Sequence, residues 1–329
     1  MEKIAVIGLG NIAVRHRRNV KLLFPEASVY AMSSSERAVT DLVSDCDGYF
    51  INIDAVIREQ VDMVIVASPS TCHLKHSAEL IKAGIPVLIE KPVTATFEDA
   101  TKLMNIAEQY NTPVAVGYCL RYLPSAKKMK KLLEEDYVGQ IYNVSIDIGQ
   151  YLPDWRPSKS YRDSVSANRH LGGGALLELS HEIDYANWMF GDLCRRYSII
   201  RSSDELEMNV ESLADITAVS SSGALVSIHL DFLQKQAWRQ CHIIGKKGRL
   251  MWDLIRNEIL FYDAVGIHII YSEPDWDKNG MYIAMLNDFI NKINNRDNQC
   301  VSLEESVKII DFIEQIKKEA NFGGSCSEN

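Results

Sequence analysis

Five short apolar runs without polar alternation punctuate the first 120 residues: Ile4-Ala5-Val6-Ile7, Val29-Tyr30-Ala31-Met32, Met63-Val64-Ile65-Val66-Ala67, Pro86-Val87-Leu88-Ile89 and Pro113-Val114-Ala115-Val116. A strand that is apolar on both faces must be covered on both faces, as in a parallel sheet between two layers of helices. The intervening segments supply those helices. Helical patterns are predicted over 12–24, over 73–83 with Leu74, Ala78 and Ile81 on one side, and over 97–110 with Ala100, Leu103, Met104 and Ala107. Strand and helix in turn predict an α/β fold, with a doubly wound parallel sheet over residues 1–120.

The pattern changes near residue 120. A helix is predicted from Leu123 to Glu134, with Pro124 in its first turn. Strand candidates follow at 141–148, 195–201, 213–219, 224–231, 240–244, 249–252, 258–262 and 267–271. Ser221-Ser222-Gly223 and Lys247-Gly248 read as turns between them. This predicts a second, α+β domain over 121–321, built on a mostly antiparallel open sheet with one free face. That face is an expected oligomer surface. Two helices close the chain, near 281–293 and 303–319. The C-terminal one is expected to pack back toward the N-terminal domain, and 322–329 is expected to be a flexible tail.

Composition excludes several classes. A chain of 329 residues with 47% apolar and 24% charged residues is neither disordered nor fibrous. A net charge of −9 repels a phosphate backbone, so nucleic acid is not an expected partner. No run approaches the roughly 18 apolar residues of a membrane helix, so no membrane partner is expected. The first residues lack the pattern of a secretion signal. The seven cysteines are odd in number, and no two stand as C-x-x-C. That pattern suits a reducing cytoplasm and no structural zinc.

Gly8-Leu9-Gly10-Asn11-Ile12-Ala13 follows the first strand and opens the first helix. In that context G-x-G-x-x-A is a dinucleotide fingerprint. Gly8 allows the tight turn, Gly10 lets the backbone approach a pyrophosphate, and Ala13 permits close helix–strand packing. The N–H groups around Asn11 and Ile12 face the phosphates. The cofactor is therefore NAD or NADP. An acid at the end of the second strand would select NAD, but Ser33-Ser34-Ser35-Glu36-Arg37 stands there. Ser33 and Ser34 can donate to a 2′-phosphate and Arg37 can pair with it, which slightly favours NADP.

Three further stretches carry chemistry. Glu90-Lys91-Pro92 follows the fourth strand, which places Lys91 at the ligand-binding edge of the sheet. A cationic amine there can hold a substrate hydroxyl and lower its pKa. Gly172-Gly173-Gly174 opens a predicted helix bearing Glu178, His181 and Asp184 at i, i+3 and i+6, an arc on one face. Histidine exchanges protons near neutral pH, and a flanking carboxylate tunes it. The proline-bounded loop between them offers Tyr151, Trp155, Arg156, Tyr161 and Arg162, suited to stacking on a ring and gripping an anion. No metal site is expected, because His73 and His76 lack further ligands at matching spacing.

Together these motifs make the chain similar to the glucose-fructose oxidoreductase / inositol dehydrogenase / MocA family over residues 1–320. The residues that carry the likeness are the N-terminal fingerprint, Pro69-Ser70-Thr71-Cys72-His73, Glu90-Lys91-Pro92, and the triple glycine followed by His181-x-x-Asp184. The resemblance implies nicotinamide-dependent oxidation or reduction at a sugar or cyclitol carbon, and a homodimer or homotetramer. It implies that Lys91 holds the reacting hydroxyl, that His181 is the acid/base and contacts substrate, and that Asp184 helps bind it. Ser68, Pro69, His73, Glu90 and Lys91 join the cofactor site, and Arg121 joins the substrate site. One departure is clear: the family's usual acid stands four residues before the histidine, whereas Glu178 stands three before. The loop and the Leu-Ser-His-Glu-Ile-Asp stretch resemble members of surface-sugar biosynthesis, which implies a nucleotide-linked or acidic sugar. The other readings are an inositol dehydrogenase, a cofactor-binding regulator without turnover, and a redox-assisted elimination on tightly held cofactor.

Overall fold

The computed structural model describes residues 1–39, 43–155, 160–319 and 321–322. Its elements run β1 (Lys3–Ile7), α1 (Asn11–Leu23), β2 (Ser28–Met32), β3 (Gly48–Phe50), α2 (Ile53–Arg58), β4 (Met63–Val66), α3 (His73–Lys82), β5 (Val87–Ile89), α4 (Phe97–Tyr110) and β6 (Val114–Val116). There follow α5 (Pro124–Glu134), β7 (Ile141–Gly149), α6 (Ala175–Glu178), α7 (His181–Phe190), β8 (Leu193–Arg201), β9 (Leu213–Ser220), β10 (Leu225–Asp231), β11 (Trp238–Gly245), β12 (Gly248–Asp253), β13 (Glu258–Tyr262) and β14 (Ile267–Ser272). The last elements are α8 (Gly280–Ile293), α9 (Leu303–Glu319) and β15 (Asn321–Phe322). Chain contacts divide these into two compact units: Met1–Cys119 with Asn279–Asp311, and Leu120–Lys278 with the chain from Phe312 onward.

The first unit holds a six-stranded sheet in the order β3-β2-β1-β4-β5-β6. All five pairings are parallel. This is the strand order of the doubly wound dinucleotide-binding fold. Ile4 through Ile7 and Met63 through Val66 are fully buried, as strands covered on both faces must be. Local chemistry sets the helix starts. Asn52 and Thr96 cap α2 and α4 by accepting from Ala55 N–H and Asp99 N–H. A reciprocal capping box opens α9, where Ser302 Oγ accepts from Glu305 N–H at 3.1 Å and Glu305 returns an acceptor to Ser302 N–H at 2.9 Å. The helix α8 belongs to this unit. Asn19 and Asn279 exchange side-chain amide bonds at 2.8 and 3.2 Å, and Tyr282 lies edge-on to His16 and beneath the Arg15 guanidinium.

The second unit is built on a nine-stranded sheet, β14-β13-β12-β11-β7-β10-β9-β8-β15. Most pairs are antiparallel, but β7 runs parallel to β10 and β15 parallel to β8. Strict alternation buries Val144, Ile146, Ile216, Ala218, Val226, Ile228, Ile243 and Trp252 on one face. Against that face lie α5, α6 and α7. The Trp252 indole N–H donates to Ser125 Oγ of α5 at 2.8 Å, and Trp252 meets Tyr185 of α7 edge-on. The alternate positions, including Tyr197, Leu225, Trp238, Ile244, Ile267 and Ile269, stay exposed.

The sheet also carries an ionic triad. His229 Nδ1 lies 2.7 Å from Asp215 Oδ1, and its Nε2 lies 2.9 Å from Asp231 Oδ2. Asp231 first, and Asp215 with it, hold the imidazole pKa up at about 9, from an ordinary value of 6.5. A proton bound more tightly by the folded chain stabilises it fully below the unfolded value, and that stability is lost as pH rises through the folded one. The expected outcome is a stability gap between wild type and His229→Gln of about 1–2 kcal/mol near pH 6, after allowance for solvent screening. The gap should close as pH rises through about 9, as read by thermal unfolding across pH.

Candidate functional site

The carboxyl edge of the first sheet gathers the cofactor candidates. Gly8 ends β1 at φ +120°, and a Cβ there would stand 2.4 Å from the Ala67 carbonyl oxygen, so only glycine fits. Gly10 is the N-cap of α1, with no side-chain cap and no acid in the first turn. A Cβ on Gly10 would meet no protein atom within 4 Å. Nothing in the fold itself excludes a side chain there. The open space, the exposed N–H groups and the positive helix end fit a pyrophosphate. Ala13 is buried, as close helix–strand packing requires. Ser33 is buried beside this turn, where Gly8 N–H donates to Met32 O at 2.8 Å. Ser34 is half-buried, and Arg37 is exposed.

Two buried groups support this edge that pattern reading did not single out. Arg17 is fully buried; its guanidinium donates to the Gly8 carbonyl at 3.3 Å and to the Ser44 carbonyl at 2.9 Å, holding the glycine turn from behind. His16 Nε2 lies 2.6 Å from Glu90 Oε1. The signal was present: Ala13, His16, Arg17 and Val20 share one helix face, the face that is buried.

The Glu90-Lys91-Pro92 loop follows β5, and its Lys91–Pro92 peptide is cis. Glu90 was expected to face the cofactor. It is buried, with one oxygen on His16 and the other accepting from Lys91 N–H at 3.1 Å. Lys91 is half-exposed. His73 was likewise expected at the cofactor, but it is 1% exposed. Its Nε2 meets Ser68 O at 2.8 Å, and its Nδ1 faces Pro92 O and Val93 O at 3.1 Å. It staples the loop after β4 to the loop after β5, and burial pushes its pKa down. Ser68 Oγ is engaged by His76 Nδ1 at 2.9 Å, and Pro69 leads into the short 3-10 turn Ser70–Cys72.

In the second unit the expected single helix from the triple glycine is two. The first, α6, ends at Glu178, and α7 begins at His181, so Glu178 does not share one helix face with His181 and Asp184. The glycines serve packing within the chain. A Cβ on Gly173 would stand 2.3 Å from Val165 O, and one on Gly174 would stand 2.4 Å from the Glu211 carboxylate. Glu211 takes the place of a capping side chain, accepting from Leu176 N–H at 3.2 Å at the start of α6. His181 and Glu178 are half-buried.

Asp184 is fully buried and does not face solvent. Arg121 Nη2 donates to its Oδ1 at 2.6 Å, and Arg121 Nε reaches both oxygens at 3.1–3.2 Å. The same guanidinium lies over the Trp188 ring. Glu182, two residues before it and fully buried, accepts from Arg239 Nε at 2.7 Å. The two arginines thus neutralise the two acids buried on α7.

The loop residues are held as follows. Tyr161 OH donates to Leu206 O at 3.0 Å, Trp155 meets Phe232 edge-on, and Tyr151 lies beneath the Lys235 ammonium. Arg162, expected to grip an anion, already pairs with Glu207 at 2.5 Å. Arg156 lies outside the described residues. A cavity of about 400 Å³ opens here, lined in part by Leu152, Trp155, Tyr161, Asp163 and Ser166. No cluster that could hold a metal ion occurs among the described residues. Likewise no helix among them is long and apolar enough to cross a membrane.

Sheet order and glycine turn define a dinucleotide-binding protein of the doubly wound class. Residues 2–118 match the family described as "Oxidoreductase family, NAD-binding Rossmann fold", and residues 126–251 match the "GFO/IDH/MocA C-terminal domain". The chain belongs to the Gfo/Idh/MocA oxidoreductase family. It is 28% identical over 210 residues to the rhizopine catabolism protein MocA of Rhizobium meliloti, which covers 60% of this chain and 62% of that protein. The chain therefore spans about three-fifths of that relative. Two solved structures share the fold. Levoglucosan dehydrogenase in complex with NADH and levoglucosan has a TM-score of 0.84 at 17% identity, covering 97% of each chain. The WlbA dehydrogenase from Bordetella pertussis in complex with NADH and UDP-GlcNAcA has a TM-score of 0.80 at 19% identity, covering 97% of this chain and 96% of that one.

Removing Asp184 leaves a buried guanidinium without its counter-charge. Asp184→Ala is expected to lower unfolding stability by about 3–5 kcal/mol in urea titration, and Arg121→Met in the same background should recover part of the loss.

Proposed function

We propose that this chain is a nicotinamide-dependent oxidoreductase that moves a hydride between NAD(P) and a hydroxyl- or keto-bearing carbon of a sugar. The observation that carries the reading is the shared edge of the first sheet. The glycine turn after β1 and half-exposed Lys91 after β5 lie at the carboxyl ends of parallel strands, with β4 between them. That edge is where ligands bind in such sheets. When bound, the nicotinamide supplies the hydride acceptor or donor.

The chain's own residues do the rest. The open backbone at Gly10 and the N-terminus of α1 bind the phosphates, with Arg17 fixing the turn. The Lys91 ammonium donates a hydrogen bond to the reacting oxygen and favours its ionised form. His181 exchanges the hydroxyl proton, with Glu178 as the nearby acid in sequence. Asp184 acts at one remove: it fixes Arg121 and the first turn of α7.

For the substrate we favour a nucleotide-linked or acidic sugar. The two structures named above hold a sugar and a sugar nucleotide, and the loop cavity offers Trp155 and Tyr161 to a ring. We assign to that cavity the part of the substrate that does not react. The exposed apolar face of the nine-stranded sheet is the surface we propose for a homo-oligomer. The cytoplasm suits its thiols, such as exposed Cys194.

The first experiment is a panel of free, phosphorylated and nucleotide-linked sugars, with absorbance followed at the NAD(P)H band. No turnover with any of them, despite tight cofactor binding, would replace the enzyme reading with a binding role. Lys91→Met is expected to lower kcat by about 10²-fold or more while leaving the cofactor Kd nearly unchanged. A near-normal kcat would make the lysine structural. His181→Asn is expected to lower kcat by about 10²–10⁴-fold and to remove an ionisation near neutral pH from the rate profile. An unchanged profile would assign the proton to another group.

A further inference from the structure

Resting on the dinucleotide reading above, we propose that Lys75 is the cation that recognises a phosphate at the adenosine 2′ position, with Glu36 as its resident counter-ion. The turn after β2 starts directly beside the glycine turn, since Ile7 is in register with Met32. Glu36 N–H closes that turn on Ser33 O at 3.0 Å, and Ser33 Oγ lies 3.1 Å from Ser35 Oγ. Glu36 is the acid of the turn, and its Oε1 lies 2.5 Å from Lys75 Nζ. Lys75 comes from the first turn of α3, after β4, and β4 is the neighbour of β1 on its other side. The pair thus joins the two segments that follow the strands flanking β1.

An acid at the end of the second strand ordinarily accepts the ribose hydroxyls and repels a 2′-phosphate. Here that acid is neutralised in place. The pair is also exchangeable: the Lys75 side chain is 68% exposed, and exposed ion pairs hold their partners weakly. A phosphate near −2 attracts an ammonium more strongly than a single carboxylate does, and the flexible lysine stem can turn to it. Arg37, the next residue along, does not tie this turn to α3 as Lys75 does. It is exposed, with no hydrogen bond or ion pair among the described residues. His76, next to Lys75, has its pKa pushed down to about 4 by burial and adds no charge at neutral pH. With NAD the pair stays closed, and with NADP Lys75 leaves Glu36 for the phosphate.

Fluorescence titration with NADH and with NADPH reads both dissociation constants without turnover. Lys75→Ala is expected to weaken NADPH by about tenfold or more, the loss of one charge-assisted contact, and to leave NADH nearly unchanged. Glu36→Gln should tighten NADPH, and Arg37→Ala should leave the ratio of the two constants where it was. The proposal is overturned if Lys75→Ala moves both constants equally or neither. It is overturned too if Arg37→Ala moves the ratio instead, or if the wild type binds NADH but not NADPH. A wild type that binds neither dinucleotide overturns the parent reading first, and this one with it.

Discussion

Burying β1 on both faces is the constraint from which the first unit follows. Its residues from Ile4 to Ile7 touch no water, and the strand pairs in parallel on either side. Parallel neighbours cannot be joined by tight hairpins, so each connection must cross a face, and among the described residues four of the five deliver a helix there, α1 to α4. The crossovers cover the apolar strands, and every strand then ends on the same edge. The glycine turn, the serine turn and the lysine loop share that edge because the chain has no other way to bury β1.

Electrostatics in the second unit follows a different logic. Helix α7 carries two acids into a region without water, at a desolvation cost that only well-placed cations offset. Arg121 comes from just before α5 and Arg239 from β11, so each acid is met by a residue distant in sequence. His181 opens the helix that these two pairs fasten through fully buried Glu182 and Asp184. On the first sheet, both ring nitrogens of buried His73 lie against backbone carbonyls.

Much of the architecture was legible in the sequence. Uninterrupted apolar runs marked the parallel strands, and alternation marked the sheet of the second unit to within a residue or two at most boundaries. The short β3 and α2 were missed because three and six residues carry too little periodicity to read. The site was legible by motif and less so by role. Glu90, His73 and Asp184 were recognised as notable, and the structure adds what sequence position could not show, that each is buried and bonded to a partner distant in sequence. The triple glycine read as the opening of a helix, whereas Gly173 and Gly174 leave space that Val165 O and the Glu211 carboxylate occupy. Lys75 escaped notice since a lysine in a helical pattern is ordinarily a solvated one.

The first unit is not one continuous stretch. Tyr282 against His16, the paired amides of Asn19 and Asn279, and the bridge between Val116 and Val301 are all made by residues that arrive late. During synthesis, the nucleotide-binding sheet must wait for nearly the whole chain before those surfaces are covered. Neither unit is finished by one unbroken stretch of chain. The second unit, encoded in between, has all but its last elements available first.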